Sequence, residues 1–182
     1  MSIHHEPLLT RAILFADRAH QGQRDKAGQP YIQHPMRVMN QVNSLDAKVV
    51  AILHDTLEDT WVSLLDLHHL GLNALQLHAI IALSKQQGES RFEVLKRTLL
   101  HPLACYVKYA DVYDNMNLRR LPKITYQDLQ RYQSYCLISK ILANACTFYQ
   151  TLDDLPASDH SQSLFKTSIL ICAVRLAQHT DY

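Results

Sequence analysis

The chain has 182 residues, of which 47% are hydrophobic and 19% are charged, so its composition is that of a globular protein and its length suits one domain. The net charge of +1 argues against the strong basic field of a nucleic-acid-binding protein, and no apolar run reaches the roughly 18 residues that a membrane-spanning helix needs. Four cysteines without a CxxC pair, and an N-terminus without a signal-peptide pattern, predict a cytoplasmic location.

Apolar residues recur at helical spacing along most of the chain. In chain order, this pattern predicts helices over residues 8–20, from residue 30 past residue 39, over 47–57, between Ser63 and Gly71, and over 73–84, 90–100, 101–117, 126–152 and 162–179. Pro30 is predicted to open the second helix, after a polar loop at residues 21–29. Because glycines are few and no segment has a convincing strand pattern, we expect an all-α bundle.

Ionisable residues interrupt the most apolar of these segments, residues 47–57. His54 and Asp55 lie inside it, and a buried charge must be paired or must bind a metal ion, because leaving it unpaired costs several kcal/mol. Glu58 and Asp59 follow four residues after each of them, which on a continuous helix is one turn along the same edge. Four ionisable groups on one side of an apolar helix indicate a site.

Two further candidate ligands, His34 and Asp111, lie in other predicted helices with similarly apolar surroundings. Two imidazoles and two carboxylates suit Mn²⁺, Fe²⁺ or Zn²⁺ better than Mg²⁺ or Ca²⁺, which prefer oxygen ligands. An HD dipeptide alone is weak evidence, so the surrounding motifs carry the prediction.

Three motifs in fixed order surround these residues: AHQGQ and KAGQPYIQHP at 19–23 and 26–35, LHDTLEDT at 53–60, and VKYAD followed by DNM at 107–111 and 114–116. Together they resemble the HD phosphohydrolase superfamily, and within it the hydrolase domain of RelA/SpoT homologues in its stand-alone form, the small alarmone hydrolases. The resemblance implies one HD domain over residues 1–182, with a motif-bearing core at about 8–132 and C-terminal helices at about 125–180.

The resemblance implies a metal-dependent 3′-pyrophosphohydrolase that acts on a small nucleotide, (p)ppGpp or (p)ppApp, and releases pyrophosphate. One divalent ion, in this family usually Mn²⁺, would be held by the four residues His34, His54, Asp55 and Asp111. Glu58 and Asp59 would orient and deprotonate the attacking water, as expected of carboxylates beside a bound dication. Lys26 and Asn115 match substrate-contacting positions.

Two acidic residues depart from the family pattern: Asp25, where many members have Arg, and Asp114, where the long members usually have His. Asp25 cannot stack on a base as a guanidinium does, although Arg24 could substitute from the next position. Guanine and adenine nucleotides are therefore both candidate substrates. The sequence does not indicate an oligomeric state.

Two alternatives remain beside the alarmone hydrolase. One is an HD enzyme, such as a nucleotidase, that acts on another phosphorylated small molecule; the other is an inactive HD module that binds a nucleotide as a sensor. The intact ligands together with Glu58 and Asp59 argue against the sensor. No GYP triplet follows the HD pair, which disfavours a cyclic-dinucleotide phosphodiesterase, and nothing resembles an alarmone synthetase domain.

Overall fold

The computed structural model describes residues 6–153, and the helix predicted over 162–179 lies outside the described residues. The described part is an all-α bundle, as predicted, whose helices are α1 (Leu8–Ala19), α2 (Gln33–Asn40), α3 (Leu45–Leu53), α4 (Thr56–Asp59), α5 (Leu64–Leu70), α6 (Ala74–Leu83), α7 (Arg91–Leu99), α8 (Pro102–Asn115) and α9 (Tyr126–Asp153), with one 3₁₀ turn at Leu118–Arg120. The β pairing found within residues 6–153 is one isolated bridge between Arg24 and Pro30. None of the helices described there has the length and apolarity to cross a bilayer.

Helix α3 lies at the centre of the bundle. Every residue from Val49 to Leu53 is buried, and α3 contacts α1, α2, α6 and α8. A second apolar cluster joins α7, α8 and the long α9, with Leu99, Val112 and Leu142 almost fully buried. The side chains that interrupt the apolar surface of α3 are therefore enclosed by other helices.

Several helices begin at a polar N-cap residue, whose side chain accepts a hydrogen bond from a backbone N–H of the first turn. The Ser63 hydroxyl accepts from the N–H of Asp66, and the Asp66 carboxylate accepts from the N–H of Ser63; these two bonds form a capping box at the start of α5. Asn73 with Gln76, and Ser90 with Glu93, start α6 and α7 in the same way.

Two predicted helix boundaries are wrong, and both lie at the candidate site. Pro30 does not open a helix, because it pairs with Arg24 across the loop, and α2 begins at Gln33. The helix predicted over 47–57 ends at Leu53, turns through His54 and Asp55, and resumes as α4. There the Thr56 hydroxyl donates to the Leu53 carbonyl, a side-chain bond that competes with the helical ladder.

Candidate metal centre and its pocket

Three of the four predicted metal ligands converge at the centre of the bundle. His34 lies in the first turn of α2, His54 follows α3, and Asp111 lies near the end of α8. One ligand atom from each of the three lies within 4.8 Å of the others, and all three residues are buried. His34 Nε2 is 3.1 Å from Asp111 Oδ1, and His54 Nε2 is 3.7 Å from the same oxygen.

Asp55, the fourth predicted ligand, lies beside this cluster but is not one of its three mutually close residues. Its Oδ2 is 3.1 Å from His54 Nε2 and 3.8 Å from His34 Nε2. The same oxygen accepts a 2.5 Å hydrogen bond from the Tyr31 hydroxyl. Tyr31 therefore directs the carboxylate, and burial together with the charge of Asp55 raises the pKa of this phenol, which remains a donor.

The electrostatic balance of the site favours cations. Burial lowers the pKa of His54, but the charge of Asp55 and a contact with Asp111 outweigh burial and raise it to about 10. Burial would raise the pKa of Asp111, but the charge of Lys108 and the nearby imidazoles of His34 and His54 hold it well below its usual range. The carboxylates thus stay ionised and draw positive charge to the space between the imidazoles.

The donor set and one unpaired atom fit a bound metal ion. Among the described residues, His54 Nε2 is buried and makes no hydrogen bond, although it faces the two carboxylates. His54 Nδ1 already contacts the Ala51 carbonyl at 2.8 Å, as expected for a ring whose other nitrogen is a ligand. A transition-metal dication would displace the proton that the nearby carboxylates favour on His54, and would then be held by neutral imidazole nitrogens and ionised carboxylates.

A further group of polar and charged residues surrounds the predicted ligands. Lys108 Nζ is 2.8 Å from Asp111 Oδ2, and Asn115 Nδ2 donates to Asp111 Oδ1 at 2.6 Å. On the other side, His34 Nδ1 contacts Asp114 Oδ2 at 2.7 Å. Sequence reasoning gave no role at the metal to Lys108 or Asp114, although their spacing of three residues from Asp111 on α8 places all of them on one helix face.

Glu58 and Asp59, the predicted water-activating pair, lie at the exposed edge of the site on the short α4. Burial, Asp55 and Glu58 together raise the pKa of Asp59. The Glu58 carboxylate accepts a 2.8 Å bond from the N–H of Lys85, just after α6, and Gln23 Nε2 donates to the carbonyl of Asp59. These bonds fix the turn that carries both carboxylates.

A pocket of about 230 Å³ opens beside the ligands. His34 and Tyr31 form part of its wall, and four cationic residues also line it: Arg24, Lys26, Arg120 and Arg131. All three predicted substrate-binding residues, Arg24, Lys26 and Asn115, belong to this lining. The carboxylates of Asp25 and Asp128 also line it, so the pocket joins the candidate metal centre to a surface in which cations outnumber carboxylates.

Within the pocket, most polar groups already have protein partners. Lys26 Nζ forms an ion pair with Asp128 of α9 at 2.9 Å, and Arg24 Nη1 donates to the Gly28 carbonyl at 2.8 Å. Asp25 Oδ1 accepts from the N–H groups of Ala27 and Gln29, both at 2.9 Å. Gly28 has φ 77°, a conformation that favours glycine and lets the loop turn back on Asp25.

Comparisons with known proteins bear on this geometry. No model of a known protein family matches the chain. A probable GTP pyrophosphokinase of Mycobacterium leprae is 31% identical over 125 residues, which cover 62% of this chain and 16% of the relative. The bifunctional (p)ppGpp synthase/hydrolase RelA of Mycobacterium tuberculosis is 31% identical over 125 residues, 62% of this chain and 17% of the relative.

The guanosine-3′,5′-bis(diphosphate) 3′-pyrophosphohydrolase of Aquifex aeolicus is 29% identical over 123 residues, which cover 62% of this chain and 18% of the relative. The chain thus spans less than a fifth of the length of these three curated relatives. A solved metazoan orthologue of SpoT, described as hydrolysing ppGpp and acting in starvation responses, matches with a TM-score of 0.60 and 19% identity over 92% of this chain and 96% of that one. The two chains share one fold.

Proposed function

We propose that this chain is a metal-dependent hydrolase that removes the 3′-diphosphate of a purine alarmone, (p)ppGpp or (p)ppApp, and releases pyrophosphate. The observation that carries the proposal is the convergence of His34, His54 and Asp111 beside a pocket with four cationic side chains. The ligand cluster suits a dication, and the pocket suits a polyphosphate. The relatives from Mycobacterium tuberculosis and Aquifex aeolicus are named as enzymes that hydrolyse this nucleotide class.

His34, His54, Asp55 and Asp111 would hold one divalent ion, with Mn²⁺ the proposed metal. Asp55 completes the set because its Oδ2 lies near both imidazole Nε2 atoms and is directed there by Tyr31. When bound, the ion supplies positive charge that stabilises the negative charge developing on the phosphoryl oxygens.

The protein's own residues then divide the remaining work. The cations of the pocket bind the phosphates and hold the 3′-diphosphate against the ligand cluster. Asp59 accepts a proton from water as the water oxygen bonds to phosphorus and the bond from phosphorus to O3′ breaks; O3′ leaves as a hydroxyl after protonation from solvent. Burial, Asp55 and Glu58 raise the pKa of Asp59, which suits a group that takes a proton, and Glu58 orients the water for this transfer, so turnover needs both carboxylates.

The test is a panel of 3′-diphosphorylated guanine and adenine nucleotides, incubated with Mn²⁺-loaded protein and separated by anion-exchange chromatography. We expect pyrophosphate and the matching nucleoside 5′-diphosphate or 5′-triphosphate from the substrates of at least one base. If neither nucleotide is cleaved, the alarmone assignment is wrong, and a phosphohydrolase acting on another small molecule takes its place.

Two variants separate the metal from the water-activating pair. Asp55→Ala should lose bound metal in elemental analysis, whereas Asp17→Ala, which removes an exposed carboxylate of α1, should keep it. Glu58→Gln keeps an acceptor for the Lys85 N–H, so the turn should survive while turnover falls by roughly 10²-fold with the metal still bound. Near-normal kcat in Glu58→Gln would remove Glu58 from the mechanism.

A further inference from the structure

Asp114 contacts His34, one of the proposed metal ligands, at Nδ1, the ring nitrogen that does not face the candidate metal centre. His34 Nδ1 is 2.7 Å from Asp114 Oδ2, whereas His34 Nε2 is 3.1 Å from Asp111 Oδ1. Both His34 and Asp114 are 5% exposed, so water does not compete for this contact. An imidazole whose Nε2 lone pair faces a cation must carry its proton on Nδ1, and a carboxylate at Nδ1 fixes that tautomer.

The placement of Asp114 follows from helix geometry. Asp111 and Asp114 are three residues apart on α8 and therefore share one face. That face meets the start of α2, so the two carboxylates reach the same imidazole at its two different nitrogens. The ring of His34 is thereby fixed in position and in orientation.

Two arginines in turn hold the Asp114 carboxylate. Arg37 donates from Nε to Oδ1 at 2.7 Å and from Nη2 to Oδ2 at 3.1 Å, a two-point contact that fixes the carboxylate plane. Arg120 Nη2 donates to the backbone carbonyl of Asp114 at 3.0 Å and lies 3.1 Å from Oδ2. The two guanidinium groups therefore neutralise the Asp114 carboxylate and fix its orientation.

We propose that Asp114 is a positioning residue for the metal centre: it keeps the proton of His34 on Nδ1 and directs Nε2 at the bound cation, while Arg37 and Arg120 hold Asp114 in place. This inference rests on the proposed function in one respect, that His34 is a metal ligand. The carboxylate also makes His34 a more basic ligand, and loss of such an outer partner typically weakens metal affinity by about 10- to 100-fold.

The experiment measures Mn²⁺ affinity by titration, following free Mn²⁺ by electron paramagnetic resonance, with no nucleotide present. Asp114→Asn should bind Mn²⁺ about 10- to 100-fold more weakly than the wild type. The matched control is Glu89→Gln, because Glu89 is also held at two points by an arginine, Arg97, but lies between α6 and α7. Glu89→Gln should keep the wild-type affinity for Mn²⁺, even if its melting temperature falls by as much as that of Asp114→Asn.

A second pair of variants covers the case in which Asp114→Asn does not fold. Arg37→Gln loosens the Asp114 carboxylate and should weaken Mn²⁺ binding, whereas Arg97→Gln, which loosens Glu89, should not. Wild-type affinity in Asp114→Asn or in Arg37→Gln overturns the positioning role, as does an equal loss in a variant and its control. A wild type that binds no Mn²⁺ overturns the metal-dependent function itself, which separates the two failures.

Discussion

The ion pair between Lys26 and Asp128 makes a specific prediction about substrate binding. Lys26 lines the proposed nucleotide pocket, and Asp128 of α9 contacts it at 2.9 Å, so a phosphate must compete with this carboxylate. The Lys26 side chain is 53% exposed, and an exposed pair is worth about 0.2–1 kcal/mol. Releasing Lys26 should therefore strengthen phosphate binding by about 1.5- to 5-fold, since 1.4 kcal/mol corresponds to a factor of ten.

Asp128→Asn is the perturbation that isolates this effect. Asp128 Oδ2 also accepts from the N–H and the hydroxyl of Thr125 at the start of α9, and the amide oxygen of Asn can keep accepting these bonds. The N-terminal cap of α9 should then persist while the charge facing Lys26 is lost. We expect a lower KM for the alarmone and a lower Kd for pyrophosphate, with kcat unchanged because neither residue belongs to the metal cluster.

A double-mutant cycle supplies the control. In a Lys26→Met background, Asp128→Asn should change the Kd of pyrophosphate by much less than it does in the wild type, because the competing pair no longer exists. If Asp128→Asn instead weakens pyrophosphate binding, Asp128 holds Lys26 ready for the phosphate, and the competition argument is refuted.

Three further predictions follow from single contacts. Tyr31→Phe removes the 2.5 Å hydrogen bond to Asp55. Because hydrogen bonds to charged groups are worth about 1.5–3 kcal/mol, Mn²⁺ affinity should fall by about tenfold or more in the same titration. Unchanged affinity would mean that Asp55 does not depend on Tyr31 for its orientation. Ile52→Ala, in the fully buried part of α3, should lower the free energy of unfolding in urea by about 2–5 kcal/mol, and a loss below about 1 kcal/mol would contradict close packing around α3. Hydrogen bonds from Arg97 and the Gln86 N–H hold the pKa of Glu89 at about 2, below its ordinary 4.5, so their stabilisation is present above pH 4.5 and is lost as pH falls through 2. Glu89→Gln should therefore lose less stability than the wild type between pH 5 and pH 2 in urea titrations, and parallel losses would count against the pair.

The all-α class was predictable because it depends on a signal that the chain carries locally, whereas the choice of candidate ligands depended on the motif resemblance; of the four, His34, His54 and Asp111 lie within 4.8 Å of one another. Helical periodicity sets the bundle, and a His-Asp pair in the most apolar segment marks the site. The break after Leu53 is not predicted; at this point the Thr56 hydroxyl donates to the Leu53 carbonyl. Apolar periodicity does not register such a bond, so the segment was predicted as one continuous helix.

Asp25 and Asp114 show where sequence reasoning lacks the needed information. The two residues are 89 positions apart in the chain, and from the sequence each one separately puts guanine recognition in question. In the structure, Arg120 contacts both: its Nη1 lies 3.4 Å from Asp25 Oδ2, and its Nη2 lies 3.1 Å from Asp114 Oδ2. One guanidinium therefore links the pocket loop to the carboxylate behind His34. A change at Asp25 then acts on the pocket through Arg120 as well as through its own side chain. Asp25→Asn, which keeps an acceptor for the loop N–H groups and removes the charge, thus tests base recognition more cleanly than Asp25→Arg, which also breaks the loop.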